Sequence, residues 1–169
     1  MLIAIISDTH GNSAAFAKFA AWAKQNNIQK IIHCGDIGWA DFAKEMSLAL
    51  PQIKLHLVIG NMDTDGDSIG NLAKNKELAN LIFYDQTGQV EIGGKKIAFT
   101  HFPEKAKELA QTNHFNLVFY GHTHKPWEEK INDCRLINPG NLSGEIFRSS
   151  FAVYDTATDL LQLKITDTL

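Results

Sequence analysis

Seven residues of this chain combine the donor types of a metal centre: Asp8, His10, Asp36, Asn61, His101, His122 and His124. Asp8 and His10 stand two apart with Gly11 behind them. At that spacing a carboxylate oxygen and an imidazole nitrogen can converge on one cation, while the glycine lets the backbone pass close by. Taken alone, the pair also reads as polar residues in a strand-to-helix turn, with Asn12 or Ser13 capping the helix. His122-x-His124 after Gly121 is the second close-spaced pair, and a paired-imidazole turn has few structural uses. All seven residues follow apolar runs. Nitrogen and oxygen donors without thiolate suit manganese, iron, zinc or nickel, and seven donors are too many for one ordinary ion, so two ions are implied.

The elements that must position these residues can be read from the hydrophobic pattern. Residues 2–6 are continuously apolar, as in a strand buried on both faces. Apolar strands over 30–34 and 53–59 run into Gly35-Asp36-Ile37-Gly38 and Gly60-Asn61-Met62-Asp63. Helices over 14–25 and 41–50 separate the three strands. Such alternation implies a parallel sheet, which binds ligands beyond the carboxyl ends of its strands, so Asp8, His10, Asp36 and Asn61 should share one rim. Residues 63–67 resemble a calcium loop but fail its template, with Ser68 at position six and Lys74 at position twelve; they read as a surface loop leading to a helix over 68–79. In the second half, strands 89–92 and 95–100 flank Gly93-Gly94, a tight-hairpin signal. A helix over 103–111 and a strand over 116–120 lead to His122. Short strands follow over 127–131, 134–137, 150–154 and 160–165, with a turn at Asn138-Pro139-Gly140-Asn141. The expected architecture is two sheets packed face to face with helices outside.

A chain of 169 residues, 44% hydrophobic, fits a single domain over 1–169 by the prior of about 100 to 200 residues each. The net charge of −3, with lysines and arginines scattered, argues against a nucleic-acid polymer as partner. The N-terminal apolar run is too short for a membrane span or a signal-peptide core and has no basic leader, which points to a cytoplasmic protein with no membrane partner. Cys34, in a strand, and Cys134, in a turn, read as free thiols.

Asp8-x-His10, Gly35-Asp36, Gly60-Asn61-x-Asp63, a strand-end His101 and Gly121-His122-x-His124, in this order, resemble the calcineurin-like metallophosphoesterases. The resemblance covers residues 1 to about 154. Ser7-Asp8-Thr9-His10-Gly11, His33-Cys34-Gly35-Asp36 and Asn138-Pro139-Gly140 are most similar to the small, single-domain phosphodiesterase branch. The resemblance implies a four-layer α/β/β/α sandwich of two mixed sheets flanked by helices. It also implies that Asp8, His10 and His124 hold one ion, that Asn61, His101 and His122 hold the other, and that Asp36 bridges them. The cofactors would be two divalent transition metal ions, manganese first, with iron, zinc or nickel as alternatives. Two cations roughly 3.5 to 4 Å apart lower the pKa of a shared water towards about 7 and stabilise the attacking and leaving oxygens of an in-line displacement. Asn61 would offer its amide oxygen to metal and its NH₂ to the substrate phosphate. The expected activity is hydrolysis of a small phosphodiester; the alternatives are a non-catalytic metal-binding scaffold on the same fold and a phosphomonoesterase. Homo-oligomerisation is left open.

Departures from the family pattern shape the substrate class. Where many relatives carry a histidine after the Gly-Asn pair, this chain has Met62, which cannot donate a proton. Loss of a general acid costs about a hundred- to ten-thousand-fold on a poor leaving group, so diesters with an acidic leaving alcohol or phenol are favoured. Phe102 follows His101 where the family commonly has glycine, which narrows the site or stiffens its rim. His33 is expected as a buried partner, His56 as structural and His114 as exposed. Asp63 has two readings, a carboxylate orienting a histidine ligand or a cap for the following segment. Trp39 and Trp127 follow site turns and are either packing residues or stacking surfaces for an aromatic ester.

Overall fold

The computed structural model describes residues 1–63, 66–72, 74 and 78–169, with backbone alone at 66 and 67. Strands β1 (Leu2–Ile6), β2 (Lys30–His33) and β3 (Lys54–Leu57) alternate with helices α1 (Ser13–Gln25) and α2 (Ala40–Ala49). Asn12 rather than Ser13 caps α1, its side-chain oxygen accepting from the Ala15 amide at 3.0 Å. Helix α3 (Gly66–Leu72) and a short strand β4 (Leu81–Phe83) follow. Of the helix expected over 68–79, residues 68–72 are helical and Lys74 is in a turn; residues 73 and 75–77, like Thr64 and Asp65 of the acidic loop, lie outside the described residues.

The second half contributes β5 (Thr87–Ile92), β6 (Lys95–Thr100), α4 (Pro103–Gln111), β7 (Leu117–Phe119), β8 (Trp127–Ile131), β9 (Cys134–Asn138), β10 (Ser150–Asp155) and β11 (Leu160–Ile165). Cys134 opens β9 instead of lying in a turn, and both cysteines are buried and free. Gly93 and Gly94 join β5 to β6 with φ of +58° and +76°, the left-handed pair that a tight two-residue hairpin needs.

Two sheets result. One has the order β11-β10-β1-β2-β3-β4, with β1 to β4 parallel and β10 antiparallel to β1; the other has the order β5-β6-β7-β9-β8, with β6, β7 and β9 parallel. Side chains alternate across β1: Ile3 and Ile5 pack between the sheets with Phe99 and Phe119, while Ala4 and Ile6 face Phe16, Phe19 and Phe42 of the helices. Helix α4 covers the other sheet through Ala106 and Ala110 against Val118 and Leu136. This is the expected four-layer α/β/β/α sandwich of two mixed sheets. Burying each of these large apolar side chains contributes roughly 1.5 to 3 kcal/mol, so the sheet pair is the rigid base for whatever sits at its edge. Among the described residues, no helix is long and apolar enough to cross a membrane.

Candidate metal centre

The carboxyl ends of β1, β2 and β3 meet those of β6 and β7 at one edge, and the turns there are stitched to one another. Asp8 N donates to Gly35 O at 3.0 Å, His10 N to Asp36 O at 3.0 Å, and Gly121 N to His101 O at 3.1 Å. The turns are also strained: Asp8, His10, Asp36, His122 and His124 all have positive φ, between 45° and 70°. A left-handed conformation costs a non-glycine residue about 1 to 2 kcal/mol, and five of the eleven such residues described gather at this one rim. At Gly35 a Cβ would stand 2.7 Å from His101 Nδ1, and only glycine lets the turn pass beneath that ring.

All seven expected donors are brought to this edge. His124 Nε2 lies 3.3 Å from Asp8 Oδ1 and 3.2 Å from His10 Nε2. His101 Nε2 lies 3.4 Å from Asp36 Oδ2, 3.0 Å from Asn61 Oδ1 and 3.3 Å from His122 Nδ1; His122 Nδ1 is in turn 2.9 Å from Asn61 Oδ1. The same Asp36 Oδ2 is 3.9 Å from His10 Nε2, between the two halves of the cluster. Two triplets, Asp8-His10-His124 and Asp8-Asp36-His101, each gather their donor atoms within 4.8 Å. The first matches the three residues expected around one ion. The second adds Asp8 to the neighbourhood of the other, a sharing that the motif pattern did not suggest.

Ring orientation tests whether these residues fit a cation. His101 Nδ1 is 2.8 Å from the Cys34 carbonyl oxygen, which can only accept, so the ring proton sits on Nδ1 and the Nε2 lone pair faces Asp36, Asn61 and His122. His124 Nδ1 likewise faces the Glu145 carbonyl oxygen at 3.4 Å, turning its Nε2 lone pair towards Asp8. Acceptors facing acceptors repel unless a cation stands among them, and the residues present therefore fit metal. Their electrostatics agree. Burial alone would depress His101, but the hydrogen-bonded Asp36 carboxylate outweighs it and the net shift is upward; His124 rises beside Asp8. Asp36 is pushed up by burial but carried lower overall by His101 and by the Met62 amide, which donates to its Oδ1 at 2.8 Å.

The other residues singled out from the sequence have separate fates. His33 is fully buried, its Nε2 2.9 Å from Thr9 Oγ1. His56 pairs through Nδ1 with the Tyr84 hydroxyl at 2.9 Å, and His114 is exposed. Among the described residues no histidine is a partner of Asp63, and the segment it was expected to cap begins outside the described residues. The two Asp63 oxygens accept from the Gly38 and Gly60 amides at 2.9 and 2.7 Å, so it ties two site turns together. Trp39 is half exposed and, with Met62, lines a cavity of about 740 Å³ over the centre, whereas Trp127 lines a different one. Phe102 packs against the rims of His101 and His122, with ring centroids 5.1 and 5.3 Å away. Asn138 donates to Gly121 O at 2.8 Å and Asn141 to His124 O at 3.2 Å, which explains the Asn-Pro-Gly-Asn turn as a brace for the paired histidines. Glu145, which also lines the cavity, was not foreseen; its sole sequence signal is an acidic residue in a short polar loop after that turn.

Residues 1–159 match the calcineurin-like phosphoesterase superfamily domain, and the chain belongs to that family. It is 30% identical over 146 residues to Phosphodiesterase MJ0936 of Methanocaldococcus jannaschii, covering 85% of this chain and 86% of that one. A solved archaeal phosphodiesterase superposes with a TM-score of 0.88 at 26% identity, over 98% of this chain and 99% of its own. Zinc-bound Vps29 from Entamoeba histolytica shares the fold at a TM-score of 0.66 and 16% identity, with 97% of each chain covered. The family is metal-dependent, and the expectations of a phosphoesterase and of a two-sheet sandwich agree with these relatives.

Proposed function

We propose that residues 1–169 act as one dinuclear, metal-dependent phosphodiesterase domain. The observation that carries this is Asp36 Oδ2, which stands among imidazole nitrogens from both halves of the centre, 3.4 Å from His101 and 3.9 Å from His10. Asp8, His10 and His124 would hold one ion, Asn61, His101 and His122 the other, and Asp36 would bridge. Manganese suits the set, as do iron, zinc and nickel. Two such ions supply an activated water for in-line attack and positive charge for the phosphoryl oxygens.

The chain's own groups do the rest. Asn61 turns its amide oxygen towards His101 and His122, leaving its NH₂ to donate to a phosphoryl oxygen. The Cys34 carbonyl fixes the His101 tautomer, and the Glu145 carbonyl does the same for His124. Met62 brings a thioether to the cavity, and its amide is committed to Asp36, so it offers no proton to a leaving oxygen. That favours small phosphodiesters whose leaving group departs as an anion. A scaffold on the same fold would be free to lose donors, and here all seven are kept.

Metal analysis after reconstitution with manganese, alongside hydrolysis of aryl and alkyl phosphodiesters and monoesters, tests the proposal. Two ions per chain and a preference for aryl diesters are expected. One ion at most, with no hydrolysis, would favour the scaffold.

A further inference from the structure

The wall of the cavity beside the first histidine cluster is acidic. Glu145 Oε2 stands 3.9 Å from His10 Nε2, and the side chain is 60% exposed, so its carboxylate faces any anion approaching the centre. The loop that carries it is held in place. Ser143 N donates to Asp8 O at 3.1 Å, the Glu145 amide to Ser143 Oγ at 3.3 Å and the Gly144 amide to Asn141 Oδ1 at 2.6 Å, and the next residue, Ile146, has φ of +66°. Among the described residues no lysine or arginine lines the cavity. The basic side chains closest in sequence are engaged elsewhere: Lys125, next to His124, lies over Trp127 with its Nζ 5.4 Å from the ring centre, and Arg148 pairs with Asp167 at 3.6 Å.

A phosphate group entering here therefore meets no lysine or arginine, and beside its path stands Glu145, a carboxylate to which the metal-centre proposal gives no ion to hold. Repulsion between like charges grows in proportion to the charge of the incoming group. A diester carries one negative charge, while a monoester above its second pKa of about 6 carries two. We infer that Glu145 is a specificity-determining residue that selects singly charged phosphodiesters against doubly charged phosphomonoesters. The inference rests on the phosphodiesterase proposal for the same centre but is separate from the missing proton donor at Met62. Met62 bears on the leaving group, whereas Glu145 bears on the charge of the phosphate.

The test compares 4-nitrophenyl phosphate with methyl 4-nitrophenyl phosphate, which share a leaving group and differ in charge. Both would be assayed at pH 8 with manganese-loaded wild type, Glu145→Gln and Glu145→Lys. The ratio of monoester to diester kcat/KM should rise about tenfold in Glu145→Gln, the scale of one extra unit charge several ångströms from an exposed carboxylate. It should rise further in Glu145→Lys, and both gains should shrink at high salt. Binding gives a second readout: by calorimetry, the tightening in Glu145→Gln should be about tenfold larger for inorganic phosphate, which carries close to two charges at pH 8, than for dimethyl phosphate, which carries one. A ratio unchanged within about twofold in both variants would overturn the inference. So would loss of metal in Glu145→Gln, which would make Glu145 a ligand instead. If wild type hydrolyses neither ester, the phosphodiesterase proposal fails, and the two binding affinities still decide the role of Glu145.

Discussion

The histidines at the rim of the sandwich and those inside it carry the same side chain in opposite electrostatic settings. His10, His101, His122 and His124 face carboxylates, amide oxygens and one another, and for His101 and His124 the neighbouring carboxylates raise proton affinity above the ordinary range. His33 is fully buried against Thr9, and His56 is buried against Tyr84 and Phe99. Burial pulls His33 down to about 3 despite Asp8 and Asp36, and pulls His56 down to about 4, aided by Lys30 and Lys54. His101 and His124 thus attract positive charge while the two interior rings exclude it. A histidine becomes a ligand through what its neighbours accept or donate, not through its own identity.

The largest expected effect breaks the rim set. Asp36→Asn keeps the shape of the side chain but removes the charge shared between the histidines. Hydrolysis of an aryl phosphodiester should fall roughly a thousandfold or more, in line with the several kcal/mol attributable to such centres. Far-UV circular dichroism should be unchanged, and His114→Asn, on an exposed ring, should alter the rate by less than about twofold. Equal losses in both variants would mean that the rim assignment is wrong.

Acid sharpens the comparison from the other side. Between pH 6.5 and 3 the unfolded chain protonates His33 while the folded chain keeps it neutral, so stability is full above pH 6.5 and falls as pH drops towards 3. For His33 alone the loss should reach on the order of 3 kcal/mol by pH 4. Urea unfolding of the metal-free protein at a series of pH values measures it. His33→Gln should show a visibly shallower pH dependence; an unchanged slope would mean that His33 does not titrate on unfolding.

A smaller effect is expected at Met62, beside the rim set but outside it. Met62→His places an imidazole of ordinary pKa near 6.5 after Asn61, and should speed alkyl diesters by about tenfold while leaving nitrophenyl diesters nearly unchanged. Wild-type rates that do not depend on leaving-group pKa, with chemistry limiting, would show that another residue supplies the proton.

The rim was legible in the sequence because each of its donors ends an apolar strand, and in a parallel sheet strand ends must coincide in space. The interior fate of His33 and the exposure of His114 followed from the same pattern. Other features depend on tertiary packing that leaves no periodic trace. Strand β4 has three residues, Leu81 to Phe83, too few for alternation to register, and among the described residues its strand partner is β3. Asp63 reads as a generic polar turn residue until Gly38 and Gly60 are seen on either side of it. Glu145 is 21 positions from His124 in a loop without pattern, and only the fold brings its carbonyl to that ring.

The five left-handed residues at the rim also bear on the evolutionary history of the chain. Glycine would relieve the backbone at any of those positions, so a lineage released from catalysis could gain stability by substituting there. Aspartate and histidine stand at all five instead, a standing expense in fold stability that the metal-centre proposal accounts for.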